Sequence, residues 1–304
     1  MERTAVSEGA ARIAAVLQHI SGDTGKEIDN GSGDASSKGN DSGNANSNVI
    51  GTLSGKAVFF GGAGVSTESG IPDFRSEKGL YSAQQVYGHR PEELLSYGMF
   101  IREPELFFRY YVENLIDLSA QPNAAHLAVA ELEKRGIITA VVTQNIDGLH
   151  QMAGSQNVIE LHGSNWRPYC VNCQRRYSLE WLLAKSNWRA GSGADRAVVP
   201  RCEMDDGIVR SDVVLYGENL SDTALNEAAA VISGAETLIV AGTSLAVYPA
   251  AGLVRLFGGD SLIVINLDPT DLDTHADILV AQPVGQVMAE VVRQLDAKKL
   301  GRSG

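Results

Sequence analysis

The stretch KAVFFGGAGVSTESGIPDFR, residues 56–75, contains the pattern on which the fold of this chain depends. It begins with an apolar run at residues 57–60, which predicts a buried strand, and the glycines at 61, 62 and 64 predict a tight turn after it. Because glycine has no Cβ, such a turn lets a pyrophosphate approach the backbone amides closely. Glycines also follow strands for purely steric reasons, so this turn alone does not establish nucleotide binding. The polar residues that follow, from Ser66 to Arg75, favour a loop that covers a ligand.

Four short motifs further along the chain occur in the order found in a known family. They are TQNID at residues 143–147, LHG at 161–163, YGE at 216–218 and GTSL at 242–245. With them the chain resembles the sirtuins, the NAD-dependent protein deacylases, from about residue 55 to its C-terminus. The sirtuin signature GAGxSxxSGIPDFR is matched without departure by residues 62–75. The resemblance implies a protein deacetylase of the bacterial type.

Apolar runs and helical patterns alternate through most of the chain. This alternation predicts an α/β fold with a Rossmann-like, doubly wound parallel sheet and a smaller second domain. We expect the NAD-binding domain to comprise residues 55–76, 121–164 and 211–304. The smaller domain is expected to combine a helical module, residues 77–120, with a zinc-ribbon-like module, residues 165–210.

Two segments precede the first predicted strand. Residues 1–29 include apolar side chains at helical spacing between positions 8 and 20, which predict an amphipathic helix packed on the large domain. Residues 30–54 predict a flexible insertion, because 16 of the 19 residues from Asn30 to Asn48 are Gly, Ser, Asn or Asp. Such a composition buries too little apolar surface to offset the entropy lost on ordering.

Length and composition predict a globular protein. The chain has 304 residues, of which 44% are hydrophobic, enough for a sizeable core. No run approaches the roughly 18 apolar residues that span a bilayer, and the N-terminus lacks the order of a secretory signal, so we expect a cytoplasmic protein without membrane association. The net charge of −12 disfavours nucleic-acid binding and suits a lysine-rich protein substrate. We also expect a monomer.

Polar residues stand directly after two predicted strands, at residues 137–142 and 158–161, where open α/β sheets bind ligands. From the pattern alone, residues 143–147 are equally consistent with an ordinary turn, and a lone histidine is more often structural than catalytic. The resemblance implies that Asn145, Asp147 and His162 are catalytic, with His162 as general base and Asp147 binding the nicotinamide amide. The cofactor contacts that it implies are Gly62, Ala63, Gly64, Thr67, Asp73, Phe74, Arg75, Gln144, Asn145, Ile146, Asp147, His162, Gly242, Thr243, Ser244, Asn266 and Leu267.

The resemblance also implies how a protein substrate binds. In sirtuins an acylated-lysine peptide adds as a strand between two segments of the cleft. The corresponding residues here are Val214, Tyr216, Gly217, Glu218, Val247 and Tyr248. Sirtuins that prefer acidic acyl groups carry a Tyr-x-x-Arg pair, whereas this chain has Phe108 and Tyr111 at that spacing, so we expect a neutral acyl group.

The three cysteines of the chain predict a metal site in the smaller domain. Cys170 and Cys173 form a C-x-x-C pair, which in a reducing compartment indicates metal or redox chemistry. Cys202 begins a second turn in which Asp205 stands where the sirtuin zinc ribbon has its fourth cysteine. A carboxylate is an acceptable zinc ligand, so we expect one structural zinc on these four residues. A degenerate, metal-free turn is the alternative.

The predicted activity is NAD-dependent removal of acyl groups from protein lysines. The resemblance implies that NAD is consumed and that nicotinamide, free lysine and O-acetyl-ADP-ribose are released. Three alternatives remain: a non-catalytic NAD or ADP-ribose sensor, an ADP-ribosyltransferase on the same fold, and a dehydrogenase. The spacing of Gly62, Gly64 and Gly70 is G-x-G-x5-G, which disfavours the dehydrogenase.

Overall fold

The computed structural model describes residues 2–22, 57–72, 83–186 and 198–301. The predicted insertion at residues 30–54 therefore lies outside the described residues, as do the predicted cofactor contacts Asp73, Phe74 and Arg75.

Eight strands are present in the described part of the chain: β1 Ala57–Gly61, β2 Ile138–Thr143, β3 Val158–Glu160, β4 Gly163–Cys170, β5 Val209–Val213, β6 Thr237–Ala241, β7 Ser261–Ile265 and β8 Ile278–Val280. Six of them form one sheet in the order β3-β2-β1-β6-β7-β8, with every neighbouring pair parallel. The chain runs outward from β1 through β2 to β3, then returns to the other side of β1 at β6. The predicted doubly wound sheet is thus confirmed, and its strand order reverses at β1, where such sheets bind ligands.

The helices include α1 Glu2–Gly22, α2 Pro91–Leu94, α3 Tyr97–Arg102, α4 Pro104–Asn114, α5 Ala124–Lys134, α6 Leu149–Ala153, α7 Leu179–Lys185, α8 Asp222–Ser233 and α9 Val284–Gly301. One face of the sheet packs against apolar residues of α1, α5 and α9, and the other against α8 and the 3₁₀ segment Ala250–Leu256. Covered on both faces, strands such as β1 and β6 are buried along their whole length, which explains their continuous apolar runs. The predicted N-terminal helix is confirmed, with Ile13 and Leu17 buried in the core.

A separate hydrophobic cluster lies outside the sheet. It joins the aromatic face of α4 to α3, α7 and the antiparallel pair β4–β5, and it includes Phe107, Tyr111, Leu182 and Val209. The aromatic residues of α4 are buried here. Within the described residues, no helix combines the length and the apolarity needed to cross a membrane.

One predicted strand differs in position and partner. The sequence Asp212–Tyr216, which is apolar after its first residue, predicts a strand that resumes the α/β alternation. The observed strand β5 is Val209–Val213, and it pairs antiparallel with β4. Beyond it, the Tyr216 amide donates to the Leu95 carbonyl and the Tyr216 carbonyl accepts from the Tyr97 amide. An apolar pattern predicts which side chains are buried, but it does not predict the strand with which their segment pairs. The chain therefore crosses from β5 to the helical module along residues 214–216.

Candidate active site

A cavity of about 500 Å³ opens where the loops after β1, β2, β3 and β6 meet residues of the helical module and the segment after β5. Most of the residues that the sequence singled out line this cavity. They are Gly62, Ala63, Gln144, Asn145, Ile146, Asp147, His162, Val214, Tyr216, Gly217, Glu218, Gly242, Thr243, Ser244, Val247 and Tyr248. Residues from both sides of β1 are thus brought to one site by the order of the strands.

Four predicted cofactor residues lie beside the cavity rather than in its lining. Gly64 packs under the loop after β6, and Thr67 donates from Oγ1 to the Gly64 carbonyl at 3.0 Å. Asn266 and Leu267 follow β7, the next strand beyond β6, and Leu267 is exposed. These two residues therefore extend the same sheet edge past the cavity.

The glycines after β1 allow two loops to touch. A Cβ on Gly64 would stand 2.7 Å from Gly242 Cα, and the Gly64 amide donates to the Gly242 carbonyl at 2.8 Å. A Cβ on Gly62 would stand 2.7 Å from Thr243 Cβ. The turn continues into two short 3₁₀ segments, Ala63–Val65 and Thr67–Ser69, rather than directly into an α-helix. The close contact between the loops after β1 and β6 therefore requires glycine at both positions.

Ser66 links two of the predicted catalytic residues. Its buried hydroxyl donates to Asp147 Oδ2 at 2.7 Å and accepts from Asn145 Nδ2 at 3.0 Å. Asp147 Oδ1 accepts from the Leu149 amide at 2.9 Å, so both carboxylate oxygens are held. Burial raises the pKa of Asp147, although these hydrogen bonds act in the opposite direction. The sequence placed Ser66 only in a ligand-covering loop, because a serine in a turn gives no sign of its distant partner.

A buried histidine lies behind Ser66. The Asn123 amide donates to His126 Nδ1 at 3.2 Å, which leaves the ring proton on Nε2, 3.4 Å from Ser66 Oγ. Burial lowers the pKa of His126 to about 4. A neutral His126 therefore donates toward Ser66, and Ser66 in turn donates to Asp147.

His162 has a defined tautomer. Its Nδ1 lies 2.9 Å from the Gln144 carbonyl, which can only accept, so in the neutral ring Nδ1 carries the proton and Nε2 is the basic nitrogen. The Val214 amide donates to the His162 carbonyl at 3.0 Å and fixes the backbone after β3. Gln144 Nε2 also donates to Thr243 Oγ1 at 2.9 Å, which ties the loops after β2 and β6 together. The ring is thus oriented as a base would need to be.

The predicted substrate segment after β5 is braced from behind. Arg210, which is buried, donates from Nη1 and Nη2 to the two carboxylate oxygens of Glu218 at 2.7 and 2.9 Å. The Glu218 carboxylate also accepts from the Leu215 amide at 2.8 Å. The Glu218 side chain therefore holds the segment in shape, and residues 214–218 line the cavity.

Trp166, in β4, lines the cavity. It was not predicted from the sequence. Its Nε1 donates to the Asp147 carbonyl at 2.7 Å, and its side chain is 41% exposed. The sequence signal that could have identified it is a tryptophan three residues after the LHG motif.

The predicted metal ligands come together. One ligand atom from each of Cys170, Cys173, Cys202 and Asp205 lies within 4.8 Å of the others. The two turns share a hydrogen-bond pattern: Gln174 N–H donates to the Cys170 carbonyl and Asp206 N–H to the Cys202 carbonyl, each at 3.0 Å. Asp205 therefore occupies in the second turn the position that Cys173 occupies in the first. Three thiols and one carboxylate in this arrangement suit a structural zinc ion.

Comparison with known proteins agrees with this site. The model of the Sir2 family matches residues 62–249. An NAD-dependent protein deacetylase of Clostridium acetobutylicum is 48% identical over 239 residues, which cover 79% of this chain and 94% of that protein. One from Caldivirga maquilingensis is 42% identical over 250 residues, covering 81% and 91%.

Solved structures give the same result. A Sir2 variant with deacetylated p53 peptide and 3'-O-acetyl ADP ribose has a TM-score of 0.70 and 39% identity, over 80% of this chain and 94% of that one. A Sir2–p53 peptide–NAD+ structure has a TM-score of 0.68 and 39% identity, over 81% and 95%. On these matches, together with the doubly wound sheet and the motifs around its cavity, the chain belongs to the Sir2 family.

Proposed function

We propose that this chain is an NAD-dependent protein lysine deacetylase. It would transfer the acyl group of an acyl-lysine to ADP-ribose and release nicotinamide, free lysine and O-acetyl-ADP-ribose. The observation that carries the proposal is the convergence of Asn145, Asp147 and His162 on one cavity, each oriented by hydrogen bonds. Similarity to structures with NAD+ or with an acetylated ADP-ribose product supports the same reaction.

NAD would lie across the carboxyl ends of the strands. The glycine turn after β1 and the loop after β6 would receive the pyrophosphate, and Asn266 and Leu267 after β7 would receive the adenosine. Asp147 has its carboxylate held by Ser66 and Leu149 and would accept the nicotinamide amide. Bound NAD supplies the electrophilic ribose carbon on which the acyl oxygen acts.

His162 would act as the general base. The Gln144 carbonyl keeps the proton on Nδ1, so Nε2 is the atom that would take a proton from a ribose hydroxyl. Asn145, held through Nδ2 by Ser66, would orient the ribose and the attacking groups. Orientation of this kind lowers the barrier by fixing reacting groups before the reaction.

The peptide would lie against residues 214–218 and 247–248, which line one side of the cavity. We propose a neutral acyl group, because Phe108 and Tyr111, at the spacing of the Tyr-x-x-Arg pair, are both buried and neither lines the cavity. The Tyr111 hydroxyl donates to Asn165 Oδ1 at 2.5 Å, so it is not available to bind an acidic acyl group.

The proposal includes a division of the chain into two domains and a set of partners. We propose that residues 77–120 and 165–210 form the small domain and that residues 55–76, 121–164 and 211–304 form the NAD-binding domain, with the cavity between them. The zinc cluster would stabilise the small domain and take no part in the chemistry. The substrates would be acyl-lysine proteins, acted on by a monomer in the cytoplasm, without nucleic acid.

The test is an assay with oxidised NAD and an acetyl-lysine peptide. Wild-type protein should release nicotinamide and deacetylated peptide in equal amounts. His162→Ala should lower that rate by about 100- to 10,000-fold, with NAD affinity held within a few-fold because the base acts after NAD is bound. Binding of NAD without nicotinamide release would favour the sensor, and reduced cofactor would favour the dehydrogenase. Nearly unchanged turnover in His162→Ala would refute its role as base.

A further inference from the structure

Asp147 depends on the turn that carries it. Residues 144–148 connect β2 to α6, and Gly148 within this turn has a φ of 75°, in the left-handed region. Two contacts from β4 hold the turn from outside. The Asn165 amide donates to the Ile146 carbonyl at 3.0 Å, and Trp166 Nε1 donates to the Asp147 carbonyl at 2.7 Å.

These two contacts fix consecutive peptide units. An indole has one donor in a rigid plane, so it sets the direction of the carbonyl that it binds. If the peptide unit between Asp147 and Gly148 turned, it would break this bond and move the Asp147 side chain away from Ser66. The orientation of the carboxylate thus relies on Trp166 as well as on Ser66 and Leu149.

The Trp166 ring also lies directly on Gly148. A Cβ on Gly148 would stand 2.7 Å from both Cδ1 and Nε1 of the indole. Any residue with a Cβ at position 148 would therefore displace the ring. In its observed position the ring lines the cavity next to Asp147, and 41% of Trp166 is exposed. An exposed aromatic face at a ligand cavity is suited to stacking with a flat ring.

We propose that Trp166 is a positioning residue for Asp147 and that its ring forms one wall of the nicotinamide pocket. The inference rests on the proposed function, because it takes Asp147 as the group that binds the nicotinamide amide. It assigns to Trp166 an effect on nicotinamide recognition rather than on peptide binding. Residues 214–218, the segment proposed to bind the substrate peptide, are held by other contacts, including the Arg210–Glu218 pair.

The decisive variant is Trp166→Phe, which keeps an aromatic ring and deletes the N–H donor. Loss of one hydrogen bond predicts about a 3- to 10-fold rise in the nicotinamide concentration that half-inhibits the enzyme. The KM for the acetyl peptide should stay within about twofold. A purely structural role would instead lower the melting temperature and change every kinetic constant together. The matched control is Trp181→Phe on α7, whose ring packs on Tyr177.

Fluorescence provides a second measurement that does not need turnover. The chain has three tryptophans, at 166, 181 and 188, so the double variant Trp181→Phe/Trp188→Phe keeps only Trp166, and nicotinamide should quench its emission in a saturable way. Trp166→Phe should lose most of the quenching seen in the wild-type protein. If Trp166→Phe does not fold, the titration of the double variant decides alone, and the absence of saturable quenching there overturns the inference.

The outcomes separate the two proposals. Wild-type protein that releases nicotinamide, together with Trp166→Phe that shows unchanged inhibition and unchanged quenching, overturns the role of Trp166 and leaves the deacetylase intact. Wild-type protein that releases no nicotinamide from NAD and acetyl peptide overturns the deacetylase, and the role of Trp166 with it.

Discussion

Replacing Ser66 by alanine is expected to slow NAD cleavage strongly, because one hydroxyl serves two of the proposed catalytic groups. Ser66 Oγ donates to the Asp147 carboxylate at 2.7 Å and accepts from Asn145 Nδ2 at 3.0 Å. A hydrogen bond to a charged group contributes about 1.5–3 kcal/mol and a neutral one about 0.5–1.5 kcal/mol. If both are fully expressed in the transition state, the rate falls by about 30- to 2,000-fold.

The assay is nicotinamide release from NAD with an acetyl peptide, followed with a matched control in the same loop. Ser69→Ala removes a hydroxyl that also accepts a side-chain hydrogen bond, from Asn123 Nδ2 at 3.0 Å, but it does not touch Asp147 or Asn145. The control should keep its rate within about threefold. A double-mutant cycle of Ser66→Ala with Asp147→Ala should show strong non-additivity, since each change removes the same hydrogen bond.

Two results would refute this reasoning. One is a Ser66→Ala rate within a few-fold of wild type, which would mean that Asp147 and Asn145 hold their geometry without the hydroxyl. The other is additive loss in the double-mutant cycle, which would mean that Ser66 and Asp147 act independently.

Two further predictions concern stability and metal binding. Burial raises the pKa of Asp147 in the folded chain, so the stability gained from its neutral form is present below the ordinary pKa of an aspartate and is lost as pH rises through the raised value. Asp147→Asn does not titrate there, so its melting temperature relative to wild type should rise as pH increases above about 4, the ordinary pKa of an aspartate, while deacetylation is lost. A difference in melting temperature that is constant with pH would contradict this. Purified wild-type protein should contain about one zinc per chain, and Asp205→Ala should contain less. Asp205→Cys should make the zinc harder to remove with a chelator, because thiolate is a softer ligand than carboxylate. An active wild-type protein without zinc would show that the two turns are held by packing alone.

The glycine turn and the apolar runs could be interpreted from the sequence because they are local. Residues 57–60 and 237–241 are continuous apolar runs, and strands that are covered on both faces require such runs. The cysteine spacing likewise predicted two matching turns, and the structure places Asp205 in the position equivalent to Cys173. The motifs that follow the strands then predicted which residues meet at the cavity, since parallel strands end at one edge of the sheet.

The tertiary structure alone decided the contacts that orient these groups. Ser66 and Asp147 are 81 residues apart, and Trp166 reaches the Asp147 carbonyl from a strand that pairs with β5. The hydrogen bond from His162 to Gln144, which sets the tautomer, likewise joins loops after different strands. A sequence pattern predicts whether a residue is buried and which local conformation it favours. The hydrogen-bond partner of a side chain depends instead on how elements distant in the sequence pack together. The pairing of β5 with β4 was not predicted for the same reason, because an apolar run shows that a strand is buried but does not specify the strand with which it pairs.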